Sequence, residues 1–386
     1  MVTMTKGRWK RVPLRAVATA ALAGTVAFGV AACGDSGGGG SSTAASSAGT
    51  TTTASAPKGD PGLGTPVAFD SAPADLHLTD PGPAACPAGG KKLTIGYDRY
   101  SDSDENVLAM SHPIEDSFKK MGCVTLLELT DNLDPATVQR NMQTFIQRKV
   151  DGVILQSALA AVQPAAVKLL DNAKIPVLTL SITAPGTTFI GPDDYANGVI
   201  GGKSVAEAFK THFPGQKPYV LLLALPKSGD TPKHRHDGFK DGIKQVLPDL
   251  KDSDFTDVSA DATPTSSHDR TLETLGRVPS GRKLIVAGVN DATAQGMVRA
   301  IAQRGLSKNA VVVGMGGVPP TSTTYICKEP EWAGTVANFP ENSGVAATGA
   351  IVALASGKEI PKWISIPGKW MARDKIGDFY PQAACK

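Results

Sequence analysis

From Lys91 onward the chain alternates short, continuously apolar runs with amphipathic stretches of helical period, and that alternation restricts the fold more than any single motif. Residues 92–96, 124–128, 152–155, 177–180 and 219–225 read as strands, and 255–258, 284–287 and 311–314 continue the series. Between two of them Val138, Met142, Phe145 and Ile146 fall at helical spacing behind Asp134-Pro135, an N-cap followed by the residue best suited to the first turn. Further helices are predicted up to Met121-Gly122 and over 164–172, 195–210, 237–246 and 292–304, the last with Gly305 at its C′ position. Apolar strands alternating with helices make parallel sheets covered on both faces. About ten such units exceed one sheet of ordinary width, so the expected fold is α/β with two doubly wound parallel-sheet lobes. Ligands of open α/β sheets sit beyond the carboxyl ends of the strands, and two lobes facing each other make a cleft.

The N-terminus obeys a different rule. Residues 1–32 carry five bases (Lys6, Arg8, Lys10, Arg11 and Arg15) and no acid, and 16–32 is uncharged and rich in Ala and Val. A basic stretch ahead of a short apolar one reads as an export signal; the apolar part falls short of the roughly 20 residues a membrane span needs. Val30-Ala31-Ala32-Cys33 resembles the bacterial lipobox, which implies a diacylglycerol on Cys33 and cleavage just before it. Residues 1–32 are then a lipoprotein signal peptide. Residues 33–90 open on Gly, Ser, Thr and Ala, turn Pro-rich after Gly59, and are expected to form a lipid-anchored flexible linker. Anchor and tether place the body at the extracytoplasmic face of the bacterial cell membrane.

Once the five leader bases are set aside, acidic residues outnumber basic ones, which argues against a nucleic-acid partner. Four cysteines remain after Cys33: Cys86, Cys123, Cys327 and Cys385. An even number in an exported chain favours disulfides. Of the three connectivities, Cys86–Cys123 with Cys327–Cys385 is preferred, because the first would join the entry of the first strand to the end of the first helix. There is no C-x-x-C, so zinc has no support and no metal or other cofactor is expected.

Three segments imitate catalytic motifs. The stretch from Gly34 to Gly38 reads G-D-S-G-G, like the surroundings of a serine nucleophile, but it lies in the tether, away from any packed base. Gly201-Gly202-Lys203-Ser204 lacks the earlier glycine of a phosphate-binding loop, since that position is Asn197, and it falls inside a helical pattern. His234-Arg235-His236 has no carboxylate cluster to complete a metal site. Neither a catalytic triad nor a defensible carboxylate pair appears, so the chain reads as a binder and not as an enzyme.

Five segments, in order, carry a resemblance. They are I-G-P-D-D-Y-A-N-G from Ile190 to Gly198, R-H-D-G-F from Arg235 to Phe239, and G-V-N-D-A from Gly288 to Ala292. The others are V-V-V-G-M-G-G from Val311 to Gly317 and T-V-A-N-F-P from Thr335 to Pro340. Through them residues 91–375 resemble the type I periplasmic solute-binding proteins of ABC importers, in the branch that binds ribose, xylose and related sugars. The resemblance implies a clamshell with three hinge crossings, expected near Lys210, Asn338 and Pro367. The N-terminal lobe is then 91–210 plus 339–366, and the C-terminal lobe 211–338 plus 367–386. Solute held between the lobes favours the closed state, which a membrane permease reads.

The positions carried over suit a sugar or polyol. Asp193 is a charged acceptor for two hydroxyls, Arg235 a rigid fork of donors, and Asn290 and Asn338 can each donate and accept. Two departures stand out. The Asp that the family carries in V-V-G-F-D-G is Gly316 here, and the aromatic pair that follows its first strand is replaced by an acidic stretch from Asp98 to Asn106. Tyr97 or Tyr100 is left to take the place of those rings, and Asp98 and Ser181 complete the expected ligand set. Pro113 is expected to interrupt the first helix and lengthen the loop before it. The partners implied are the small-molecule solute, the ABC permease transmembrane subunits, and the membrane through the lipid anchor, with the body a monomer. The same body would also serve a sensor that presents its closed state to a membrane kinase or chemoreceptor. A transcription regulator of this shape would need a basic helix-turn-helix where the export signal stands.

Overall fold

The computed structural model describes residues 67–68, 86–87 and 90–385. The expected signal peptide, Cys33 and most of the expected linker lie outside the described residues. The strands are β1 (Val67–Ala68), β2 (Leu93–Arg99), β3 (Val124–Thr130), β4 (Gly152–Gln156), β5 (Val177–Leu180) and β6 (Thr188–Gly191), then β7 (Pro218–Ala224), β8 (Phe255–Ser259), β9 (Lys283–Ala287), β10 (Ala310–Gly316) and β11 (Trp332–Ala337), and last β12 (Trp363–Ser365) and β13 (Lys369–Ala372). The helices are α1 (Glu105–Met121), α2 (Pro135–Gln147), α3 (Gln163–Asn172), α4 (Asp194–His212) and α5 (Asp230–Val246), followed by α6 (Pro264–Leu275), α7 (Asp291–Gln303), α8 (Thr321–Lys328), α9 (Pro340–Ala355) and the short α10 (Ile376–Phe379).

Two sheets result. One has the order β1-β12-β6-β5-β4-β2-β3 and is parallel throughout; the other has the order β13-β11-β10-β9-β7-β8 and is parallel except at its edge, where β13 runs antiparallel to β11. The two-lobed α/β fold expected from the alternation is therefore present. Each sheet is covered on both faces, which is why the central strands read as unbroken apolar runs. In the first lobe α1 and α9 bury Met110, Ile114, Phe118, Ala347 and Ile351 against Ile95, Ile154 and Leu178. On the opposite face α2 and α3 bury Val138, Met142, Phe145 and Leu170 against Val153 and Leu155. In the second lobe α7 brings Met297 and Ile301 against Leu221, Leu284 and Val312.

The other face of the second sheet is covered by α4 and α5, and here the structure departs from the sequence reading. Val205, Ala206 and Phe209 of α4 share a core with Val220, Leu222, Ile285 and Val313 of the second sheet. Glycines let α4 and α5 touch backbone to backbone: a Cβ on Gly202 would lie 2.3 Å from the Phe239 carbonyl oxygen, and one on Gly238 2.4 Å from that of Tyr195. The helix therefore belongs to the second lobe, and the first crossing lies at residues 192–193 instead of near Lys210. Gly201-Gly202-Lys203-Ser204 is part of this helix pair, not a phosphate loop.

Other expectations also shift. Residues 67 and 68, assigned to the linker, form β1 on the edge of the first sheet beside β12. Pro113 sits inside α1 without ending it: burial of Met110, Ile114 and Phe118 on one face outweighs the lost backbone bond. The helix predicted from residue 237 starts at Asp230. Cys86 pairs with Cys123 and Cys327 with Cys385, at Cα separations of 6.2 and 5.2 Å.

Candidate functional site

The loops at the carboxyl ends of the two sheets face each other. Across the gap, Thr321 Oγ1 at the start of α8 donates to Glu105 Oε1 at the start of α1, at 2.6 Å. The Tyr100 hydroxyl lies close enough to Arg235 of the second lobe to feel its charge. Burial raises that phenol above its ordinary pKa, with Asp104 adding to the effect, and its hydroxyl reaches Asp104 Oδ1 at 3.4 Å. Tyr100 is thus the ring available to the cleft from the first lobe.

Four expected ligand residues are held by scaffold hydrogen bonds that leave each of them a further polar atom. Asp193 is the N-cap of α4 and accepts from the Ala196 N–H at 2.9 Å through Oδ1, leaving Oδ2 for other donors. Asn290 caps α7 in the same way, its Oδ1 taking the Thr293 N–H at 2.8 Å, so its NH2 remains. Asn338, on the second crossing, accepts from Asn197 Nδ2 at 3.1 Å. Arg235 donates from Nε to Asp194 Oδ1 at 2.7 Å and from Nη1 to the Val289 carbonyl at 3.2 Å, which keeps Nη2. These bonds also gather the four together. Arg235 joins the residue after Asp193 to the residue before Asn290, and Asn197 joins α4 to Asn338. The result is one constellation around the hinge, of acceptors and donors at fixed orientation.

Ser181 follows β5 with a left-handed backbone (φ 66°), unusual for a residue with a side chain, and donates to the Met110 sulfur at 3.1 Å. Two expected residues are not on the cleft wall. Tyr97 is fully buried and its hydroxyl donates to Gln156 Oε1 and meets Ser111 Oγ at 3.1 Å. Asp98 is also fully buried and accepts from Asn141 Nδ2 at 2.6 Å. Alternation along β2 explains both: consecutive side chains point into the helical layers on either face of the sheet, so neither reaches the solvent gap beyond its end.

Sequence reasoning missed three buried polar residues that organise the site. Asp194 pairs with Arg235; burial pushes its carboxyl above the usual range while the guanidinium pulls against that. Asp291 accepts from the Gly317 N–H at 2.6 Å and from Thr335 Oγ1 at 2.7 Å, and burial raises it too. Its carboxylate lies against Gly316, where a Cβ would come within 3.1 Å of Oδ2. Asn197 is 2% exposed. The signal for Asp194 and Asn197 was their place in the I-G-P-D-D-Y-A-N-G segment, but their partners are distant in sequence. Among the described residues no group of three or more His, Cys, Asp or Glu side chains could hold a metal ion.

Residues 100–359, more than half of the chain, match the family model described as the periplasmic binding protein domain. The chain belongs to the periplasmic binding proteins. It is accordingly a solute-binding protein and not an enzyme. The ribose import binding protein of Bacillus subtilis is 25% identical over 284 residues, 72% of this chain and 87% of that protein. Among solved structures, an ABC transporter solute-binding protein from Bacillus halodurans with bound myo-inositol is similar at a TM-score of 0.64 and 16% identity, covering 77% of this chain and 100% of that one. A periplasmic solute-binding protein from Actinobacillus succinogenes with bound D-allose gives a TM-score of 0.62 at 19% identity, covering 74% and 100%. The fold of this binding protein is therefore that of the clamshell receptors. Among its described residues no helix is long and apolar enough to cross a membrane.

Proposed function

We propose that this chain is the lipid-anchored substrate-binding protein of an ABC importer, held at the extracytoplasmic membrane face through Cys33. It takes a small solute, a sugar or polyol, between its lobes, closes on it, and delivers it as a monomer to the transmembrane permease subunits. The observation that carries this reading is the constellation of Asp193, Arg235, Asn290 and Asn338. Each is fixed by scaffold hydrogen bonds and retains a polar atom, the arrangement a polyhydroxylated ligand needs. Hydrogen bonds to charged groups contribute about 1.5–3 kcal/mol each, so three or four can sustain micromolar affinity, about −8 kcal/mol, after the costs of association. The similarity in fold to proteins that hold myo-inositol and D-allose supports the ligand class.

Thermal unfolding against sugars, polyols, amino acids, nucleosides and polyamines tests the ligand class. A solute at about 1,000 times its Kd stabilises the folded state by about 4 kcal/mol, a shift of several degrees. A shift with a sugar or polyol is expected; a shift confined to another class would refute the carbohydrate assignment. Cys33→Ser is expected to release the protein into the medium, and its retention at the membrane would refute the anchor.

A further inference from the structure

Asn197 lies at the start of α4, buried beneath the meeting point of the other two crossings. Its Oδ1 accepts from the backbone N–H of Gly368, on the third crossing, at 3.1 Å, and its Nδ2 donates to Asn338 Oδ1, on the second, also at 3.1 Å. The fit is close, since a Cβ on Gly368 would lie 2.6 Å from the Asn197 carboxamide. A backbone N–H can only donate, so Asn197 must turn its oxygen to Gly368 and its NH2 to Asn338. An NH2 also can only donate, so Asn338 must answer with its oxygen. One group that cannot be flipped thus orients two carboxamides in series.

We propose that Asn197 is a positioning residue that sets the polarity of the ligand site. By engaging Asn338 Oδ1 it leaves the Asn338 NH2 for the cleft, so the solute presents an acceptor there, either a ring oxygen or a hydroxyl oxygen receiving a bond. This rests on the binding reading above, in which Asn338 faces the solute. Neither the packing of α4 nor the capping of its N-terminus requires an asparagine at this place; the relay of donor and acceptor does.

Asn197→Asp inverts the relay. A carboxylate still accepts from Gly368 but can only accept from Asn338, which must then turn its NH2 inward and offer its oxygen to the cleft. Asn197→Ala removes the constraint and lets Asn338 rotate to suit the ligand. Isothermal titration of the full chain with D-ribose, D-allose and myo-inositol is expected to show at least a tenfold loss for Asn197→Asp, the cost of facing an acceptor with an acceptor. About two- to threefold is expected for Asn197→Ala. Combining Asn197→Asp with Asn338→Ala should add nothing to Asn338→Ala alone. Equal losses for Asn197→Asp and Asn197→Ala would overturn the proposal in favour of packing. A second measurement needs neither ligand nor variant: hydrogen exchange of the side-chain amides by nitrogen-15 NMR. The Asn197 NH2 protons are expected to be protected and those of Asn338 to exchange with solvent; the reverse pattern overturns the proposal. Failure of all three sugars to bind the wild-type protein would count against the carbohydrate reading, and the amide exchange would still decide the orientation.

Discussion

Asp98 offers a quantitative test of the interior of the first lobe. It is fully buried, one oxygen is held by Asn141 Nδ2 at 2.6 Å, and the other has no partner among the described residues; the neighbouring Asp131 also has an unpartnered buried oxygen. Burial, opposed by the Asn141 bond and assisted by Asp131, pushes the Asp98 pKa up to about 8. In the unfolded chain an Asp titrates near 3.9. Between about pH 4 and pH 8 the folded protein therefore keeps a proton that the unfolded chain has released, and stability falls as pH rises through that window. One group contributes a slope of about 1.4 kcal/mol per pH unit, so by pH 7 the loss is about 4 kcal/mol. Asp98→Asn removes the titration and retains the acceptor for Asn141. Urea unfolding of wild type and variant across pH 4.5 to 8 reads the difference, because other buried acids such as Asp194 and Asp291 affect both alike. The variant's advantage should be small at pH 4.5 and grow to several kcal/mol by pH 7.5. Two parallel curves would refute the reasoning.

Gly238→Ala forces a methyl to within 2.4 Å of the Tyr195 carbonyl oxygen and should cost about 1–3 kcal/mol or more through separation of α4 from α5, visible as a lower Tm. Arg235→Ala leaves Asp194, with a side chain 8% exposed, as an unpaired buried acid; a loss of about 3–5 kcal/mol in urea unfolding is expected. Adding Asp194→Asn should recover stability without recovering ligand affinity, and recovery of both would remove Arg235 from the site. Asp193→Ala should weaken binding at least tenfold while costing only about 1 kcal/mol of helix capping, and unchanged affinity by calorimetry would count against its role.

The alternation of apolar strands and helices was legible because burial on both faces leaves continuous hydrophobic runs, as in β4 and β5, where every residue is buried. Two late strands gave weaker signals: β12 is only three residues long, and β13 is an edge strand paired on one side only, so neither presents a long apolar run. The lobe assignment of α4 was misread because its inward face is glycine and small residues, chosen for contact with α5 and not for hydrophobic period. At the site, Asp193 and Asn290 were visible because they stand in the ordered segments that carry the family resemblance, and the structure adds that both are helix caps. Asp194, Asn197 and Asp291 were not, because their partners stand 41, 141 and 44 residues away. Tyr97 and Asp98 looked like site residues from their position near a strand end, and only the pleat of β2 shows which way they point.

The interleaving of the lobes also governs the order in which the molecule can be built. The second sheet and its covering helices come from one uninterrupted span between the first and second crossings, lacking only β13 and the Cys327–Cys385 bond. The first sheet stays incomplete far longer: β6 waits for β12, whose Trp363 pairs with Phe189, and α9 must arrive before Ile95 and Ile154 are covered. A ribosome extending this chain therefore releases a span able to close on itself while the earlier half still exposes an apolar face and an open strand edge. The part of the molecule synthesised first is the part that finishes last, and during that interval it is the region most exposed to aggregation.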